Sequence, residues 1–188
     1  MNRIVVIVAL AIVGACATTP EGAVVLTKDD IANFETESND RLQKARLLVG
    51  ILDNYQIREM LEAQVSDVTT EYYQAGHGVY LEYTSPNHQV FMWYPGNAVA
   101  VTGTWDIPEQ FDPPRVCYKY FNAYHGVTGE YEPNECVDTA QTLGNVDELE
   151  ARRGDRFALS SGRVPYVKTG NARVVWPEKP TTEGAAAE

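Results

Sequence analysis

Apolar residues between positions 42 and 68 recur at steps of three and four. Leu42, Ala45, Val49, Leu52 and Tyr55 form one stripe, and Ile57, Met60, Leu61, Val65 and Val68 continue it after a small phase change. That period predicts amphipathic helix over 39–66, either one bent helix or two joined ones. Asp53 and Gln56, at the phase change, have the spacing of a capping box, in which each side chain reaches the other's backbone N–H. Upstream, Thr27 can cap a helix whose first turn carries Asp29 and Asp30, acids that complement the positive end of the dipole. Fewer than four clean heptads follow, so the stripe points to the rest of the chain rather than to a coiled-coil partner.

From Gly78 the period shortens to two. Val79–Tyr83, His88–Tyr94, Ala98–Trp105 and Arg115–Phe121 read as strands, with turns at Ser85-Pro86-Asn87 and Pro95-Gly96-Asn97. Shorter runs near 155–159 and 173–176 extend the pattern. In the second run Phe91 and Trp93 share one face, while Val90, Met92 and Tyr94 share the other. Both faces are apolar, so each must be covered. The predicted fold class is therefore α+β. An N-terminal helical segment packs on a small antiparallel β-meander, barrel-like or sandwich-like, and one disulfide braces it.

The chain has 188 residues, 44% of them hydrophobic, which suits one core-forming domain. Fifteen basic residues against 26 acidic ones give a net charge of −11, which argues against nucleic acid as a partner. No apolar run reaches the roughly 18–20 residues of a membrane span. The N-terminus, Met1-Asn2-Arg3 followed by uncharged Ile4–Ala15, has the layout of a secretory signal. Residues 1–15 are read as that signal, 16–26 as a tether, 27–176 as one domain (helical over 27–70, β over 78–176) and 177–188 as a disordered tail. Removing the signal takes away one Arg and no acid, so the mature charge is 14 − 26 = −12.

Val13-Gly14-Ala15-Cys16 resembles the lipobox of bacterial lipoproteins. The resemblance implies cleavage before Cys16 and lipid on its sulfur and new amino group. Several acyl chains anchor stably where one would not. Ala17 stands where an Asp in that family commonly marks retention at the inner membrane. The resemblance thus implies an outer-membrane lipoprotein, its body in the periplasm or at the cell surface, held to the membrane by lipid alone. The body also resembles small secreted proteobacterial domains of unknown function, through Tyr80-x-x-Tyr83, Gly103-x-Trp105 and Cys117-Tyr118. Gly103-x-Trp105 is similar to a motif of lipocalin-like barrels as well.

Cys117 and Cys136 make an even pair in an exported chain and are read as a disulfide, worth roughly 3 kcal/mol in the chain-entropy model. Chemistry beyond that is sparse. His77, His88 and His125 lack the spacing of a helical metal site and read as surface residues, so no metal and no cofactor is predicted. No nucleophile elbow, phosphate loop or dinucleotide fingerprint occurs. Glu130, Glu132, Glu135 and Asp138 read as a solvated acidic loop. Aromatic residues are the one constellation that points to contact with a partner. There are eleven Tyr, three Trp and five Phe, and most of the Tyr lie in the β half. Tyr joins an apolar body to a polar tip, which suits a wet binding surface. Tyr124, His125 and Tyr131, in the loop between the paired cysteines, form the predicted contact surface, with Trp93 and Trp105 from the strands. The leading expectation is a non-catalytic binding or structural module that meets an envelope protein or glycan. A carrier of a small apolar ligand is the alternative. A cell-wall or polysaccharide hydrolase is a third, and it would need two carboxylates facing one cleft.

Overall fold

In the computed structural model, residues 23–125, 128–166 and 170–178 are described. The predicted signal, the predicted lipidation site Cys16, most of the expected tether and residues 179–188 of the expected tail lie outside them.

Two helices open the fold, α1 (Lys28–Val49) and α2 (Asn54–Val65). Both start at capping boxes. Thr27 Oγ1 accepts the Asp30 N–H while Asp30 answers the Thr27 N–H at 2.9 Å. Asp53 and Gln56 do the same at 2.8 and 3.1 Å. The second box is why the stripe shifts phase: it starts a new helix. The helical pattern ends at Val65, short of the predicted residue 70. Residues 68–74 instead form strand β1 (Val68–Gln74). The Thr69-Thr70 and Tyr72-Tyr73 pairs supply β-favouring side chains there, and pairing on both edges overrides the helical phase that Val68 had continued.

Six further strands follow: β2 (Gly78–Thr84), β3 (Gln89–Trp93), β4 (Val101–Asp106), β5 (Val116–Phe121), β6 (Asn134–Val137) and β7 (Glu148–Arg153). A short helix, α3 (Thr139–Leu143), sits between the last two. The order is β6-β5-β4-β3-β2-β1-β7, antiparallel throughout. The strands β1 to β6 are therefore a meander, and β7 returns to the edge at β1. The sheet curls into a half-barrel. Gly103 permits a close approach of β4 to β5: a Cβ there would lie 2.2 Å from the Lys119 carbonyl oxygen. Strand runs predicted near 155–159 and 173–176 are not strands; these residues form a 3-10 turn and an irregular segment instead.

Each sheet face has its own core, as the two-sided apolar pattern requires. On the concave face, Ile57, Leu61 and Val65 of α2 pack on Val90, Trp105, Val116 and Tyr118. On the convex face, Leu81, Tyr83, Phe91 and Trp93 are covered by Leu159, Val174 and the rings of Phe157, Tyr166 and Trp176. The C-terminal segment thus acts as a second layer. It is pinned by Glu71 of β1, which is 0% exposed. Arg173 reaches Glu71 Oε2 at 2.6 Å, and the Val174 N–H donates to Oε1 at 2.7 Å. Cys117 and Cys136 face each other in register on β5 and β6 and form the disulfide. Among the described residues no helix is long and apolar enough to cross a membrane.

Candidate functional site

Strand alternation sorts β2 into two faces. Leu81 and Tyr83 enter the convex core, so Tyr80, Glu82 and Thr84 must point to the concave side. Glu82 sits in register with Thr70 of β1 and Met92 of β3, and it is 5% exposed. The α2 core fills only part of the concave face. Beside it a hollow of about 140 Å³ remains. Tyr72, Tyr80, Tyr118 and Tyr120 supply its aromatic wall. Gln64 and Val65 of α2 and Gln141 and Thr142 of α3 close it from above.

Charge in this hollow has one sign. Glu82, Glu135, Asp147 and Glu148 line it, and among the described residues no Lys, Arg or His does. The Tyr120 hydroxyl donates to Glu82 Oε2. Among the described residues no cation pairs with Glu82. Burial therefore pushes the Glu82 carboxyl up to about 7; the Tyr120 hydrogen bond opposes the rise and repulsion from Glu135 adds to it. Burial, then the Glu82 charge, raises the Tyr80, Tyr118 and Tyr120 phenols well above their ordinary range. Tyr72 moves the same way for the same causes. At the far wall, burial raises Asp147 and Glu148, with Arg41 opposing both.

Tyr80, Tyr120 and Glu135 are also shared with an outer hollow of about 250 Å³. Tyr80 stacks between Tyr72 at 5.2 Å and Tyr94 at 5.6 Å, so the aromatic wall runs from one hollow to the other. Met92, Val101, Ala123 and Pro133 make the outer hollow more apolar. The Tyr94 hydroxyl is buried there without a hydrogen-bond partner among the described residues. Two histidines meet at this rim. His77, from the β1–β2 turn, packs edge-on against His125, with ring centroids 5.1 Å apart. His125 Nδ1 accepts the Thr128 N–H at 3.0 Å, so Nε2 carries the proton it offers to Glu135 Oε1, also at 3.0 Å. Burial, then the neighbouring His125, lowers the His77 pKa; Glu135 opposes this.

The predicted contact residues are dispersed by the fold. Tyr124 and His125 line the outer hollow. Tyr131 packs on Tyr124 from outside at 4.9 Å and stays exposed. Trp93 is 0% exposed in the convex core and Trp105 1% exposed in the concave core; neither lines either hollow. The Trp105 indole N–H is already taken by the Ser85 carbonyl at 3.0 Å. The acidic loop also divides: Glu135 turns to the hollows while Asp138 caps α3. Glu82 and the four wall tyrosines are site residues that the sequence does not single out as candidates, and His77, expected as a surface residue, lines the outer hollow. The signal for Glu82 was present: it is the one acid in a strand whose two faces are otherwise apolar, aromatic or Thr. Among the described residues no group of three or more His, Cys, Asp or Glu is arranged to hold a metal ion.

Compared with known protein families, curated proteins and solved structures, the chain matches none of them.

Proposed function

We propose that this protein is a lipid-anchored envelope module that binds a small molecule, without transforming it, in the concave hollow of its half-barrel. The observation that carries this reading is Glu82. A buried carboxylate costs several kcal/mol unless it is paired. Glu71, on the next strand, has an arginine and a backbone N–H for that purpose. Among the described residues Glu82 has one phenol and an open space. Perturbed, uncompensated carboxyls in a concave site are a mark of function. The anchor belongs to the same proposal and rests on the lipobox resemblance at Val13–Cys16.

Two measurements test it. Native mass spectrometry of protein purified from envelopes should find a small-molecule adduct, and a fragment screen by NMR should perturb the Tyr72, Tyr80, Tyr118 and Tyr120 ring resonances. No adduct and no fragment on those rings would defeat the binding reading. Intact mass should show acyl groups on a chain that begins at Cys16. A chain that begins at Met1 or carries a plain thiol at position 16 would defeat the anchor.

The hydrolase reading has one observation in its favour: Glu82 and Glu135 face the same hollow, as an acid and a base would. Product release from cell-wall or polysaccharide substrates that Glu82→Gln abolishes would replace binding with catalysis. The apolar-carrier reading rests on the outer hollow, and co-purified lipid would favour it.

A further inference from the structure

We infer that the inner hollow takes a compact organic cation, a protonated amine, with its ammonium group against Glu82 and its carbon body on the tyrosine wall. This rests on the hollow being a binding site and names the class of its ligand. Among the described residues the lining contains four carboxylates and no basic side chain. An anionic ligand would meet repulsion from every charged group, and a neutral one would leave Glu82 uncompensated. A cation supplies the missing partner. The tyrosine faces add to this, since a ring quadrupole attracts a cation most strongly when both are removed from water.

Geometry limits the ligand further. A hollow of about 140 Å³ is close in size to an engineered cavity of ~150 Å³ that accepts benzene. The ligand is therefore small, with room for a short apolar extension toward Met92 and Val101 in the outer hollow. The net charge of −11 also favours the approach of cations over anions.

Three probes of one shape separate the possibilities: benzylammonium, benzyl alcohol and benzoate, titrated by NMR into the full chain. Benzylammonium should move the wall tyrosine resonances and bind at least about tenfold more tightly than the other two, because an unpaired buried charge dominates such discrimination. Glu82→Gln should remove that preference while leaving benzyl alcohol binding in place. Glu135→Gln, at the more exposed rim, should weaken benzylammonium less, and it guards against a folding defect in the first variant. Affinity for benzylammonium should fall as pH drops through about 7, where Glu82 protonates. The other titratable groups facing the hollow are Glu135, Asp147, Glu148 and the four tyrosines. Benzyl alcohol binding as tightly as benzylammonium would overturn the cation assignment and leave the hollow a binding site. Tighter binding of benzoate would do the same. Absence of all three from the tyrosine wall would overturn both readings.

Discussion

Glu71 and Glu82 lie on adjacent strands of one sheet, both shielded from solvent, and their surroundings differ in almost every respect. Glu71 faces the convex side and receives Arg173 Nη2 at 2.6 Å, the Arg173 Nε at 3.1 Å and the Val174 N–H at 2.7 Å. Both of its oxygens are occupied. Glu82 faces the concave side and receives one phenol. The sheet can neutralise a buried carboxylate with C-terminal residues on one face, and it leaves the other face uncompensated. The difference separates a group that holds the fold together from one that the fold holds at a cost. Local strain of the second kind belongs to sites that await a partner.

The comparison breaks most visibly if Arg173 is removed. Arg173→Ala leaves Glu71 buried without its cation and should destabilise folding by about 3–5 kcal/mol in denaturant titrations. The C-terminal layer, with Val174 and Trp176, should loosen with it in hydrogen exchange.

Glu82→Gln should act in the opposite direction. Raising the folded carboxyl from 4.5 to about 7 favours its protonated form, so its contribution is full below pH 4.5 and is lost as pH rises through about 7. At a pH near 8 the ionised group costs roughly 3 kcal/mol relative to a neutral one. The Gln variant should match the parent near pH 4.5 and exceed its stability at pH 8 by up to that amount. Equal stability at both pH values would mean that Glu82 is satisfied after all.

Smaller effects sharpen the contrast. Tyr120→Phe removes the donor that favours the Glu82 carboxylate, so Glu82 should titrate higher still, with a loss of about 1–2 kcal/mol at pH 8 and less at pH 5. Glu150→Gln, which trims the partly exposed Arg173–Glu150 contact of 3.1 Å, should cost under about 1 kcal/mol and leave the concave face unchanged.

The architecture was legible where a pattern had a physical cause at short range. The helical period, the Thr27 cap, the Asp53–Gln56 capping box, the β2–β3 hairpin and the two-sided packing of β3 can be read from neighbours in the chain. The cysteine pair was legible from its even count together with the expectation of export. Residues 68–70 read as helix because Val68 continues the apolar spacing of α2, and residues 71–74 carry no clear period; only pairing with β2 and β7 decides for strand. The strand β7, Glu148–Arg153, carries too many charges to read as a strand in isolation. Its partner is β1, which starts 80 positions earlier in the chain (148 − 68 = 80).

The site was largely illegible for a similar reason. Tyr72, Glu82, Tyr120 and Glu135 come from four strands, and no window of sequence contains them together. The loop between the cysteines drew attention because its residues are contiguous, and two of them, Tyr124 and His125, do reach the rim. Trp93 and Trp105 drew attention as large aromatic residues, yet size is also what a core needs.

The most direct test is a carbon-detected NMR titration of the glutamate side-chain carboxyls, with and without benzylammonium. One glutamate resonance, absent from Glu82→Gln, should titrate with a midpoint near 7 in the protein alone and shift to lower pH when the cation is added. Glu82 titrating in the ordinary carboxylate range, or a midpoint that benzylammonium does not move, would contradict the account.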